Sequence, residues 1–122
     1  MTEKNVRLCV PAEAEFARSV RMTASTLAVC CDMSVDDVED VRMAAEEGFV
    51  YACATFPDAV DVSFSLAPDA MTMDFSLGEE EPDDDSIDLV EVLLSAVCDV
   101  FSVSEDGRVL HLVKRAGDAH GE

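Results

Sequence analysis

Basic residues are few in this sequence. Among 122 residues, 8 Lys and Arg stand against 27 Asp and Glu, a formal net charge of -19. A chain so negative repels nucleic-acid phosphates and anionic lipid headgroups, which argues against non-specific binding to nucleic acid or to a membrane and favours basic protein surfaces as partners. Solubility alone, or adaptation to a salty cytoplasm, accounts for the same charge, so charge by itself names no function. Long apolar runs are also missing: nothing approaches the roughly 18 uninterrupted residues of a membrane span. No apolar stretch follows the opening Met1-Thr-Glu-Lys-Asn-Val6 as it would in a signal peptide, and the expectation is a cytoplasmic protein. Cys-x-x-Cys spacing is absent too. Cys9, Cys30, Cys31, Cys53 and Cys98 are odd in number and mostly fall where an apolar residue fits, so they read as core thiols, with no metal site.

What is present is a 49% hydrophobic chain, too apolar to be a disordered acidic segment and of a length for one core. Val6, Leu8 and Val10 alternate with polar residues as in a half-buried strand that Pro11 closes. From Glu13 to Cys31 the apolar residues Phe16, Val20, Ala24, Leu27 and Cys31 recur at helical spacing. Ser34 with Asp37 has capping-box spacing and opens a second helix with Val38, Val41, Ala45, Phe49 and Ala52 on one face; Pro57 marks its exit. Two alternating runs, Val60 to Leu66 and Met71 to Leu77, joined through Pro68-Asp69, read as a hairpin. The segment Gly78 to Ser86, with Glu79, Glu80, Glu81, Asp83, Asp84 and Asp85, reads as a mobile loop. A third helix carries Leu89, Val90, Leu93, Leu94 and Val97, and a second hairpin follows with Gly107 at its turn. One domain over residues 1–115 with a disordered tail, 116–122, is expected. Its class is α+β, a two-layer α/β sandwich with three helices on one face of a mixed, mostly antiparallel sheet.

This order, with the strings Leu8-Cys-Val-Pro-Ala12, Asp36-Asp-Val-Glu-Asp-Val-Arg-Met-Ala-Ala-Glu-Glu47 and Cys98-Asp-Val-Phe101, resembles the anti-sigma regulatory factors and serine-protein kinases of the GHKL ATPase superfamily. The resemblance spans Val6 to Arg115 and implies the histidine-kinase-type (Bergerat) fold. It also implies where nucleotide chemistry would sit. Glu47 matches the family's general base, but the Mg²⁺-holding Asn four residues on is Tyr51, and the family's His falls at Thr55. In the register one residue earlier, Glu46 is followed by Val50, which ligates nothing. The family's Asp-x-Gly is here Ser76-Leu77-Gly78: Gly78 suits a close backbone approach, while Ser76 lacks the carboxylate that holds adenine. The phosphate-binding Gly-x-Gly is replaced by Ser86-Ile-Asp-Leu89. The acidic run occupies the place of the ATP lid, where carboxylates beside a polyphosphate cost several kcal/mol, about 4 for each pair at 4 Å in a medium of dielectric about 20.

The expectation is therefore an anti-sigma-like regulatory protein that works by holding a protein partner, a sigma factor or an anti-sigma antagonist, with a lost or crippled ATP site and no cofactor. The alternative is an active serine-protein kinase on ATP and Mg²⁺, with Glu47 as the base and carboxylates near Gly78 on the metal. A divalent-cation site in the acidic run alone is weighed and set below a solvated charge run, because Glu79 to Asp85 lacks the ligand spacing of a calcium loop. His111 among apolar neighbours and His120 in the tail show no carboxylate partner in sequence. A homodimer is expected by the resemblance, with Phe16, Val20 and Leu27 available to an interface or to the core.

Overall fold

A computed structural model describes residues 4–82 and 84–117, and of Asp84 and Ser86 the backbone alone. The chain runs β1 (Lys4–Pro11), a single 3-10 turn (Ala14–Phe16), α1 (Ala17–Val29), α2 (Val35–Cys53), β2 (Ala59–Ala67), β3 (Ala70–Ser76), α3 (Asp84–Val97), β4 (Val100–Val103) and β5 (Val109–Arg115). The strands form one sheet in the order β1-β2-β3-β5-β4.

Every neighbouring pair in that sheet is antiparallel, so the expected mixed sheet is corrected. The reason is topological. Two helices return the chain between β1 and β2, which reverses it, and the two hairpins reverse it again. The single helix between β3 and β4 does leave those two strands parallel, but β5 is inserted between them.

Strand alternation fixes the two faces. Val60, Val62, Phe64 and Leu66 of β2, Met71, Met73 and Phe75 of β3, and Leu110 and Leu112 of β5 are buried together beneath the helices. The opposite face carries Ser63, Ser65, Thr72, Asp74 and His111 and stays open among the described residues. α2 is the central helix. Gly48 lets it approach the sheet, since a Cβ there would stand 2.7 Å from the Phe75 ring. Val20, Ala24 and Ala28 pack α1 into the core, joined by Cys31 just after the helix, and Val90 and Leu94 do so for α3. Val20 is thus a core residue, with Phe16 and Leu27 packed against the same core.

Ser34 caps α2 as its spacing predicts, its hydroxyl accepting from the Asp37 N–H at 3.1 Å. Ser34→Ala is expected to lower the unfolding free energy by about 1 kcal/mol in urea titration, with an unchanged m-value.

Three expectations need correction. α3 starts at Asp84, so the acidic run ends inside a helix and not wholly in a loop; carboxylates in a first turn meet the positive end of the helix dipole. The tail is pinned at its start, with Ala116 N–H donating to Asp69 O at 2.7 Å and Gly117 N–H to Asp37 Oδ2 at 2.7 Å. Residues 118–122, His120 included, lie outside the described residues, as does Asp83. Of the cysteines, Cys31 is buried and Cys53 and Cys98 are partly so, whereas Cys9 and Cys30 are exposed. Burial pushes the Cys98 thiol up to about 11, against the pull of Lys114. Among the described residues no helix is long and apolar enough to cross a membrane.

Candidate functional site

The C-terminal end of α2 builds the site. Thr55, which follows the helix, is buried, and its hydroxyl donates to Ala52 O at 2.6 Å while accepting from the Gly78 N–H at 2.7 Å. The Glu80 N–H donates to Thr55 O at 3.2 Å, and the Leu77 N–H to Arg108 O at 2.8 Å. The segment after β3 is therefore clamped between the end of α2 and the β4–β5 turn. Gly78 is required there: a Cβ would lie 2.2 Å from Thr55 O and 2.7 Å from Pro57 N. Phe56, beside this contact, holds a left-handed φ of 55° and is 77% exposed. Gly107, at φ 73°, makes the hairpin turn as expected.

Between these parts opens a cleft of about 600 Å³, with Tyr51 and Thr55 from the α2 end, Gly78 and the following glutamates on one side, and Asp106 and Arg108 on the other. Glu79, Glu80, Glu81 and Asp106 line it against one cation, Arg108, among the described residues. The Arg108 Nη2 lies 3.8 Å from Glu79 Oε2, both side chains mostly exposed, so that pair contributes well under about 1 kcal/mol. Asp106 accepts from the Ser104 hydroxyl and the Arg108 N–H, which hold its carboxyl below the usual range. Tyr51 is only 7% exposed. Burial, and then the charge of Glu91, pushes its phenol above the usual value.

Of the residues singled out from sequence, Tyr51 and Gly78 come together at this cleft, with Thr55 between them. Ser76 does not: it faces the open side of the sheet, where its Oγ accepts from the Asp61 N–H at 2.8 Å. Glu47 also lies outside the cleft lining, half-buried on α2. Glu46 reaches Arg21 of α1 at 3.4 Å, and Val50 is exposed, so the alternative register brings nothing to the cleft.

Burial, reinforced by Glu46, raises the Glu47 pKa. A raised acid prefers its protonated form in the fold, so it lowers stability as pH climbs past the ordinary carboxylate value. Glu47→Gln is therefore expected to raise the thermal midpoint slightly at pH 7 and to lose that advantage below pH about 4. A scan at both pH values checks it.

Two features were missed in sequence. Phe56 gave no signal, because its left-handed backbone follows from the packing around Gly78. His111 was expected to lack a carboxylate partner, yet its Nδ1 stands 2.6 Å from Asp74 Oδ1 on the open sheet face. The pairing of β3 with β5, which sets those two residues opposite each other, decides it. No group of three or more His, Cys, Asp or Glu is placed to hold a metal ion among the described residues. In comparisons with known families and proteins, no family model and no curated protein matches this chain.

Proposed function

We propose that this chain is a regulatory module of the anti-sigma type, a histidine-kinase-type (Bergerat) domain that works by binding a protein partner and has lost the usual ATP mechanism. The observation that carries this reading is the cleft's charge: four carboxylates and, among the described residues, one cation line the place that the resemblance gives to the nucleotide. Triphosphate would enter against like charge. The cleft is open, so each such pair at 4 Å costs nearer about 1 kcal/mol than the interior figure, but the costs add over several pairs. Tyr51 stands where the family holds Mg²⁺, and a phenol with a raised pKa is a poor magnesium ligand. The kinase alternative loses support because Glu47, its base, lies outside the cleft lining.

The partner of this reading is a basic protein, a sigma factor or an anti-sigma antagonist, met in the cytoplasm and drawn in by a net charge of -19. A second copy of the chain, joined as a homodimer, belongs to the same reading by resemblance. The test is affinity capture with the purified protein as bait, at low and at high salt. A sigma factor or its antagonist held at low salt and released near 1 M, where the Debye length falls to about 3 Å, is the expected result. Neither protein at either salt would overturn the reading.

A further inference from the structure

We propose that the open face of the sheet is a self-association surface, on which a second copy of this chain packs sheet against sheet. This rests on the homodimer named in the reading above and says where its contact lies. The ground for it is how the charge is distributed. Register and strand alternation put two carboxylates on this face, Asp61 and Asp74, and two guanidiniums, Arg7 and Arg115. With His111 neutral the face carries no net charge, in a chain of net charge -19. Every other carboxylate among the described residues lies on a helix or in a connection. Asp74 is moreover paired with His111 on the same face, Oδ1 to Nδ1 at 2.6 Å.

That distribution selects the occupant. Two copies of so negative a chain repel one another across their helices and connections, and a face without net charge is where they can meet. A basic partner gains nothing there, because the carboxylates that draw it lie elsewhere. A surface carrying both signs is also complementary to itself about a two-fold axis, as a symmetric dimer requires. The two arginines stand at the margin, Arg7 on the edge strand β1 and Arg115 at the end of β5. Toward the centre the side chains are short and half-buried, with Ser63, Ser65 and Thr72 on one side and Val100, Val109 and Val113 on the other. Depletion of charge at the centre is the compositional mark of an interface, and short side chains let two sheets stack at about 10 Å. Five strands span about 20 Å and a seven-residue strand about 23 Å, a flat footprint of about 450 Å² a side. That area belongs to weak, reversible complexes.

The test is sedimentation equilibrium of the full chain at low and at high salt. A monomer–dimer equilibrium in the micromolar range is expected, and it should tighten about tenfold as the Debye length falls from about 10 Å to about 3 Å, because salt screens the repulsion between the two copies. Capture of a basic partner responds to salt in the opposite direction, so the two contacts are told apart. Thr72→Glu, which sets an unpaired carboxylate in the middle of the face, should weaken the dimer at least about tenfold. Ser102→Glu, on the same face at an exposed position of β4 that the fold tolerates, should weaken it about threefold. Ser95→Glu changes net charge equally at an exposed position of α3 and should change the constant less than about twofold. Unfolding midpoints of all three variants establish that each is folded. A dimer that both face variants leave intact, or that Ser95→Glu weakens as much, lies on another surface; that result overturns this inference and leaves the homodimer standing. A monomer at either salt up to about 1 mM overturns the inference and the homodimer together, while affinity capture decides the protein-binding reading separately.

Discussion

Gly78→Ala is expected to lower the unfolding free energy by about 3 kcal/mol, the upper end of what overpacking costs. The Cβ would meet Thr55 O at 2.2 Å and Pro57 N at 2.7 Å, both backbone atoms, so relief requires the end of α2 or the start of the acidic segment to move. Either movement breaks the hydrogen bond from the Gly78 N–H to the Thr55 hydroxyl. Gly107→Ala is the matched control. Nothing lies within 4 Å of a Cβ there, and the φ of 73° leaves only the left-handed penalty, about 1 kcal/mol. Urea titration of both variants checks the difference, and equal losses would contradict the clamp. Because the clamp shapes the cleft, Gly78→Ala should also broaden the Tyr51 and Thr55 amide resonances.

Lys114→Met is expected to cost about 2 kcal/mol, below the usual figure for breaking a buried pair because one partner is partly exposed. Lys114 lies opposite Met71 in register, on the core side of β5, with 14% of its side chain exposed. Its Nζ stands 3.0 Å from Asp40 Oδ2 and 3.8 Å from Asp37 Oδ1. Methionine keeps the apolar stem and removes the charge, leaving Asp37 buried with the Gly117 N–H and Ser34 as its remaining support. The ionisations have opposite signs. Burial alone would raise the Asp37 pKa, but the Gly117 and Ser34 hydrogen bonds and Lys114 outweigh it and hold the carboxyl below 3.8. That contribution is present above pH 3.8 and is lost as pH falls through the depressed value. For Lys114, burial would lower the pKa, and the hydrogen bond and charges of Asp40, Asp37 and Asp99 raise it above 10.5 instead. Its contribution is complete below 10.5 and disappears as pH rises through the raised value. The wild type should therefore lose stability at both extremes, and Lys114→Met should abolish the alkaline loss that this pair causes. Denaturation series across pH read both limbs.

Where a period of one element decided the outcome, sequence was enough. The recurrence of Val20, Ala24 and Cys31, and of Val41, Ala45, Phe49 and Ala52, places α1 and α2 on the core, and the alternation of Val60 to Leu66 and Met71 to Phe75 places the first hairpin. Ser34 and Gly107 were legible because each has a local reason, a cap and a positive φ. The same alternation places Ser76 on the face opposite Met71, Met73 and Phe75, so the strand period alone already turns it away from the cleft. α3 was harder. Apolar residues lie all round it, and Leu89 and Val92 prove exposed while Val90 and Leu94 are buried. Its start was hidden by carboxylates, which repel one another in a loop but suit a helix N-terminus. The cleft needs three elements distant in sequence, so spacing alone could not show it: Thr55 meets Gly78 across 23 positions, and Leu77 meets Arg108. The Asp74–His111 pair belongs to the same class, since it depends on which strand β5 joins.

Isothermal calorimetry of the purified protein against ATP and ADP with Mg²⁺, with a divalent-only control, tests the central claim most directly. A cleft lined by Glu79, Glu80, Glu81 and Asp106 predicts no heat beyond dilution. Saturable heat with micromolar affinity, reduced by Gly78→Ala and absent from the divalent-only control, would contradict it and restore the kinase reading.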